Sequence, residues 1–335
     1  MFAATATIYA SIPSPSSGQL QLGPLRLTAY GLMIALGVIA SVEIARRRHT
    51  ARGGDAEDFS QIGLWAVIAG MIGARLYHVA TDFDRFRGNW GDTVKIWQGG
   101  LGIPGGLLAG VLIGMVVARR RGLTTGYALD IVAPAVPVAQ AIGRWGNWFN
   151  QELFGGPTSL PWGLRIDPEH RPAGYEDQLT YHPTFLYESL WNLGLAGFIF
   201  WLERRTKGRL RPGSLFAVYL AGYGIGRFWI ESLRIDPARM VFGVRFNLLL
   251  AAVVAGSALL WLLLVGRRVA VQANDVHPEA PDAEPQLDPQ NNASQDDSAS
   301  QDDSASQDDG ASQDDGASQD DPAEREDPAA GAARR

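Results

Sequence analysis

YALDIVAPAVPVAQAIGRWGNWFNQELFGG, residues 127–156, decides the fold. It opens as a long apolar segment and ends by placing Arg144, Asn147, Asn150 and Glu152 among glycines and tryptophans. About 20 apolar residues rising 1.5 Å each span a hydrocarbon core of about 30 Å. A guanidinium at the centre of such a helix costs about 3 kcal/mol on insertion scales, so it belongs beside a polar cavity, a partner or the interface. The stretch reads as a membrane span that delivers a polar cluster to one end.

Working outward, six more windows have comparable character: Leu27–Ala45, Phe59–Ala80, Trp97–Ala118, Thr184–Leu202, Gly213–Ile230 and Val241–Val265. With Tyr127–Phe149 they make seven, and the expected fold is an all-α polytopic membrane protein. The connections RRRHTAR (46–52), RRR (119–121), ERRTKGRLR (203–211) and RR (267–268) concentrate basic residues on alternate ends of these windows. By the positive-inside rule the N-terminus lies outside and the C-terminus in the cytoplasm. Residues 1–26 form an external N-terminal segment, 27–268 the seven-span body, and the polar stretch of about 150–183 a small head.

Charge divides the chain. From Val271 onward there are 18 acidic and 3 basic residues, whereas the part before it carries a net charge of +9 within an overall −6. This tail, 271–335, repeats ASQDDS and ASQDDG from Ala293 to Asp321. It holds too little apolar surface to offset the entropy of ordering, so a disordered cytoplasmic tail is expected. A solvated spacer and a docking arm for a basic partner both fit that composition. The chain has no cysteine, which excludes disulfides, thiolate metal sites and a cysteine nucleophile. Its histidines, at 49, 78, 170, 182 and 277, show no metal-ligand spacing.

Arg75, Arg144, Arg227 and Arg245 fall inside or at the ends of spans. Snorkelling suffices for Arg245, near the outer end of its window. Arg144 and Arg227 sit in GRWGNWFNQE and YGIGRFWIE, both toward the outer ends of their spans. Two fixed cations with glycines beside them suit a lipid phosphate, which a planar guanidinium meets with two hydrogen bonds. Asn147, Asn150 and Glu152 would orient those forks or substrate hydroxyls; asparagines also serve as interhelical glue, and that reading stays open.

With these residues in view, the chain resembles the prolipoprotein diacylglyceryl transferase family. The family signature GRxGNxxNxExxG is met by Gly143, Arg144, Gly146, Asn147, Asn150, Glu152 and Gly156 or, in the usual register, Gly155. AYGLM around Tyr30, GARLYHV around Arg75, GGLGIPGG at 99–106, YHPTFLYES around His182 and Glu188, and YGIGRFWIES with Tyr223, Arg227 and Glu231 follow in family order across residues 29–236.

The resemblance implies a multi-pass bacterial plasma-membrane enzyme with seven spans and a periplasmic head. It would transfer the diacylglyceryl group of phosphatidylglycerol to the lipobox cysteine in prolipoprotein signal peptides, the first step of lipoprotein maturation. Arg144, Arg227, Tyr30, Asn147 and Glu152 would carry the chemistry. Arg144, Arg227, Asn150, Gly155, Glu231 and His182 would hold phosphatidylglycerol. Membrane lipids surround such a chain, and no cofactor, metal or nucleic acid is expected.

The sequence departs from the family at Pro104, where many members have a histidine, and at Phe185, where glutamine is usual. Proline takes no proton, so a base would come from Tyr30, His78, His182 or Glu152. Gly100, Gly102 and Gly105 match GxGxxG, but spans flank them instead of a βαβ unit, and they read as close helix packing or a substrate-access loop. A transporter or scaffold is the alternative, since polar residues within spans also mark transport sites.

Overall fold

The computed structural model describes residues 11–22, 25–95 and 99–265. The expectations for residues 1–10 and for the acidic tail from Val271 lie outside the described residues. Nine helices and six short strands follow one another among those described: β1 (Gln19–Leu22), β2 (Leu25–Thr28), α1 (Ala29–Thr50), α2 (Ala56–Thr81), α3 (Phe83–Phe86), α4 (Ile103–Arg120), α5 (Thr125–Val132), α6 (Ala135–Asn150), β3 (Leu164–Arg165), β4 (Thr180–Tyr181), α7 (Thr184–Thr206), α8 (Ser214–Leu233), β5 (Met240–Val241), β6 (Val244–Arg245) and α9 (Phe246–Leu264).

Five helices, α1, α2, α4, α7 and α9, are long and apolar enough to cross a membrane. A sixth crossing results if α5 and α6 count as one span broken by a 42° bend. The single window expected over Tyr127–Phe149 is thus two helices. Pro134 stands at the break and Pro137 follows, and a proline withholds an N–H and clashes with the preceding turn. The window expected over Gly213–Ile230 forms α8, but this 20-residue helix carries Arg227 and Glu231 and lies between α7 and α9. Leucines, isoleucines and valines such as Ile39, Ile72, Leu107 and Val253 face outward. Apolar surface on that scale fits a lipid solvent, where helices satisfy their own backbone.

The helix starts follow local chemistry. The N–H of Gly31 donates to Thr28 Oγ1 at 3.0 Å, and that of Glu57 to Asp55 Oδ1 at 2.9 Å. The start of α8 is capped from another helix: Asp130 of α5 accepts the N–H groups of Gly213 at 2.8 Å and Phe216 at 3.0 Å. Glycines let α2 and α4 touch. A Cβ on Gly105 would stand 2.3 Å from the carbonyl oxygen of Gly73, so only a hydrogen fits. The close-packing reading of the glycine run therefore holds, and Pro104 occupies the first turn of α4, where its missing N–H costs nothing.

The three described basic connections, 46–52, 119–121 and 203–211, converge on one end of the bundle. Arg48 forks onto Glu203 at 2.7 and 3.1 Å, and Arg52 pairs with the same carboxylate. Asp58 takes His49 at 3.1 Å and Arg121 at 3.3 Å. The opposite end carries the head. There β3 pairs with β4, Ile12 bridges Leu164 in parallel, and Pro157 bridges Tyr181. Phe154, Leu164, Ile166, Tyr181 and Phe185 form its core. Residues 11–18, read from sequence as part of a segment ahead of the spans, are strapped to this head: Trp148 Nε1 donates to the Pro13 carbonyl at 3.0 Å, and Gln151 Nε2 to that of Pro15 at 3.2 Å.

Candidate active site

The last turn of α6 sets the first half of the site. Its period places Arg144 and Asn147 on one side, and the helix then stops in left-handed backbone at Gln151, φ 51°. The turn brings Glu152 back: its N–H donates to the Asn147 carbonyl at 3.1 Å. Its Oε1 accepts from Asn147 Nδ2 at 3.0 Å and from Asn150 Nδ2 at 3.2 Å. Asn147 in turn offers Oδ1 to Arg144 Nη1 at 3.4 Å. Gly146 leaves room for Tyr30 of α1; a Cβ there would stand 2.6 Å from the tyrosine ring.

The second half comes from α7, α8 and the loop before α9. Glu188, buried on α7, gives Oε2 to Arg144 Nε and Oε1 to Arg227 Nη1, the latter at 2.9 Å. Arg227 Nη2 lies 2.7 Å from Oε2 of Glu231, one turn along α8. Glu231 is fully buried and also meets Arg245 Nε at 2.9 Å, Asn247 Nδ2 at 3.2 Å and Arg234 Nη1 at 3.5 Å. Asp236 closes the network, 2.7 Å from Arg234 Nε and 3.3 Å from Arg245 Nη2. Burial pushes the Asp236 carboxyl up, but the hydrogen bond and charge of Arg234, with Arg245, bring it below the ordinary aspartate value.

A buried carboxylate stays ionised only where donors replace its water. Here each buried glutamate holds two or more cations, so the guanidinium planes are fixed before any ligand arrives. Among the described residues, Nη2 of Arg144 and Nε of Arg227 make no hydrogen bond. Both nitrogens remain open as donors.

Of the residues singled out from sequence, Arg144, Asn147, Asn150, Glu152, Arg227 and Glu231 thus form one connected cluster, with Tyr30 against Gly146. Gly155 and His182 meet each other instead. The Gly155 N–H donates to the His182 carbonyl at 3.0 Å, and the imidazole Nδ1 is 3.2 Å from the Tyr187 hydroxyl. The head joins the cluster through backbone, with Gly156 N–H on the Leu233 carbonyl at 2.9 Å. His78 packs on Gly100, in the loop before α4.

Arg245 does not snorkel: Glu231 and Asp236 hold it in the network. Arg75 serves another purpose, donating to the carbonyls of Asp92, Thr93, Lys95, Gly99 and Gly100 and so folding the loop that leads into α4. Sequence reasoning passed over Glu188 as a site residue, with Arg234, Asp236 and Asn247. The available signal for Glu188 was an acid inside an otherwise apolar span.

Between α7, α8 and α9 runs an apolar groove of about 790 Å³, lined by Trp191, Leu195, Phe198, Ile225, Trp229 and Leu259 among others; the charged residues of the cluster do not line it.

Comparison with known proteins agrees with this chemistry. The family model described as prolipoprotein diacylglyceryl transferase matches residues 18–264. The chain belongs to the prolipoprotein diacylglyceryl transferase family. It is similar to phosphatidylglycerol–prolipoprotein diacylglyceryl transferase of Frankia alni, 49% identical over 265 residues that cover 78% of this chain and 69% of that one. The corresponding figures are 51% over 241 residues, 71% and 75%, for the second such transferase of Streptomyces coelicolor. For the Cutibacterium acnes transferase they are 48% over 274 residues, 81% and 91%. The family match takes in the arginine cluster, the groove and the head, and it stops short of the acidic tail.

Proposed function

We infer that this chain transfers the diacylglyceryl group of phosphatidylglycerol to the lipobox cysteine thiol of prolipoproteins, forming a thioether and releasing glycerol phosphate. The observation that carries the reading is Glu188 holding Arg144 and Arg227 together, with a donor of each left open. The thiol sulfur attacks the diacylglyceryl carbon that bears the phosphate ester. The C–O bond to phosphate breaks, its electron pair leaves on the phosphate, and the thiol proton passes to a base at the cluster and from there to the departing glycerol phosphate or to water.

Arg144 and Arg227 receive the phosphate oxygens on their open donors and stabilise the charge that grows on the leaving group. They also favour the thiolate of a cysteine whose ordinary pKa is about 8.5. Asn147, Asn150 and Glu152 fix Arg144, while Glu231 fixes Arg227. Tyr30 borders the reacting carbon, and Gly155 with His182 closes the headgroup side. The groove takes an acyl chain. Pro104 supplies no base; Tyr30 and Glu152, at the arginine cluster, are better placed for that role than His78 or His182.

The same reading counts α5 and α6 as one span and α8 as the seventh. The head then faces the periplasm and the basic end the cytoplasm of a bacterial inner membrane. The test is purified protein in detergent with phosphatidylglycerol and a lipobox peptide. A diacylglyceryl mass increment on the cysteine, with one glycerol phosphate released per peptide, is the expected result. An unmodified peptide beside well-folded protein would favour a transporter or scaffold.

A further inference from the structure

The hairpin β5–β6 presents an anomaly that the transfer reaction does not use. Met240 pairs with Arg245 and Val241 with Val244, so Phe242 and Gly243 form the two-residue turn. Both have positive φ, 51° and 77°. Tight hairpins require that geometry, and the first position favours asparagine, aspartate or glycine. A phenylalanine there is sterically disfavoured, and its side chain is 96% exposed. Among the described residues nothing compensates for either feature.

Its neighbours show what does. The hairpin runs straight into α9, the most apolar of the candidate spans. Phe246, Leu250, Val253, Leu260 and Leu264 are exposed along one face of that helix at helical spacing, and Met240 and Val244 extend the apolar surface up to the tip. Arg239 is exposed at the hairpin's base, and its carbonyl accepts the N–H of Phe246 at 2.8 Å. An aromatic tip flanked by a cation is the composition that settles at a membrane interface with anionic headgroups.

We propose that the Met240–Arg245 hairpin is a membrane finger whose Phe242 is seated in the leaflet beside the arginine cluster. Its far end is rigidly tied: Arg245 holds Glu231, which holds Arg227. The depth of the finger therefore sets the depth at which the cluster meets a lipid phosphate.

The chain has no cysteine, so single cysteines give unique probes. Phe242→Cys and, separately, Met240→Cys would carry a nitroxide in the full chain reconstituted into phosphatidylglycerol-containing vesicles, with exposed Asp177→Cys of the head as reference. Accessibility would be measured to oxygen, which concentrates in lipid, and to a water-soluble nickel chelate. Both hairpin labels are expected to favour oxygen and the head label nickel; hairpin labels as nickel-accessible as the head label would overturn the proposal.

The kinetic arm uses Phe242→Asp, which suits the turn geometry. It is expected to raise KM for vesicle phosphatidylglycerol by about tenfold while kcat stays within about twofold. An unchanged KM would overturn the finger's part in lipid access. Only this arm rests on the transferase reading: an inserted hairpin on a parent protein without transfer would count against that reading alone.

Discussion

A carboxylate inside a span keeps its charge only where other groups take the place of water. Glu188 finds Arg144 and Arg227, and the second pairing crosses a separation of 39 residues. Glu188→Gln keeps the shape and removes the charge. Removing one partner of a buried pair costs about 3 kcal/mol, so transfer should fall about a hundredfold and the melting temperature should drop with it. Parental rate and stability in this variant would show that the arginines are fixed by other contacts.

Asp236 gives a pH signature. Its folded pKa is depressed, so its contribution is complete above the unfolded value of about 3.9 and disappears as pH falls through the folded value. Asp236→Asn should therefore melt below the parent at pH 7, with the gap closing below about pH 4; a constant gap would contradict this. Arg144, Asn147, Asn150, Glu152 and Arg227 were legible in sequence because charge and amide in an apolar run break the pattern. Their partners were not, since Glu188 and Arg245 acquire roles only when α6, α7, α8 and the β5–β6 hairpin pack together.

At the scale of elements, hydrophobic length located the helices, and backbone detail moved their ends. The third window was expected from Trp97, yet α4 begins at Ile103. Gly99 and Gly100 adopt positive φ and turn their carbonyls to Arg75, which consumes the residues that a helix start would have used. Pro134 and Pro137 likewise divide a run that hydropathy alone joins. Pro104→Ala should retain activity within a few-fold, because its place in the first turn of α4 asks only for a missing donor. A folded but inactive variant would mean that the loop shape itself belongs to the site. Gly105→Val, in contrast, drives a side chain into the Gly73 backbone and should cost several degrees of melting temperature.

For the whole molecule, the described basic connections and the polar cluster occupy opposite ends of the bundle. The acidic repeats lie beyond the family match, so deletion from Ala273 should leave turnover within a few-fold of the parent; loss of activity at normal insertion would give the tail a part in catalysis. The account as a whole rests on two guanidiniums receiving a lipid phosphate. Lysine keeps the charge and loses the planar pair of donors. The most direct measurement is the transfer rate of Arg144→Lys and Arg227→Lys on a lipobox peptide with phosphatidylglycerol, followed by mass spectrometry. Both should fall about a hundredfold, equivalent to roughly 3 kcal/mol, with much smaller changes in expression and melting temperature. Near-parental transfer by both lysine variants would contradict it.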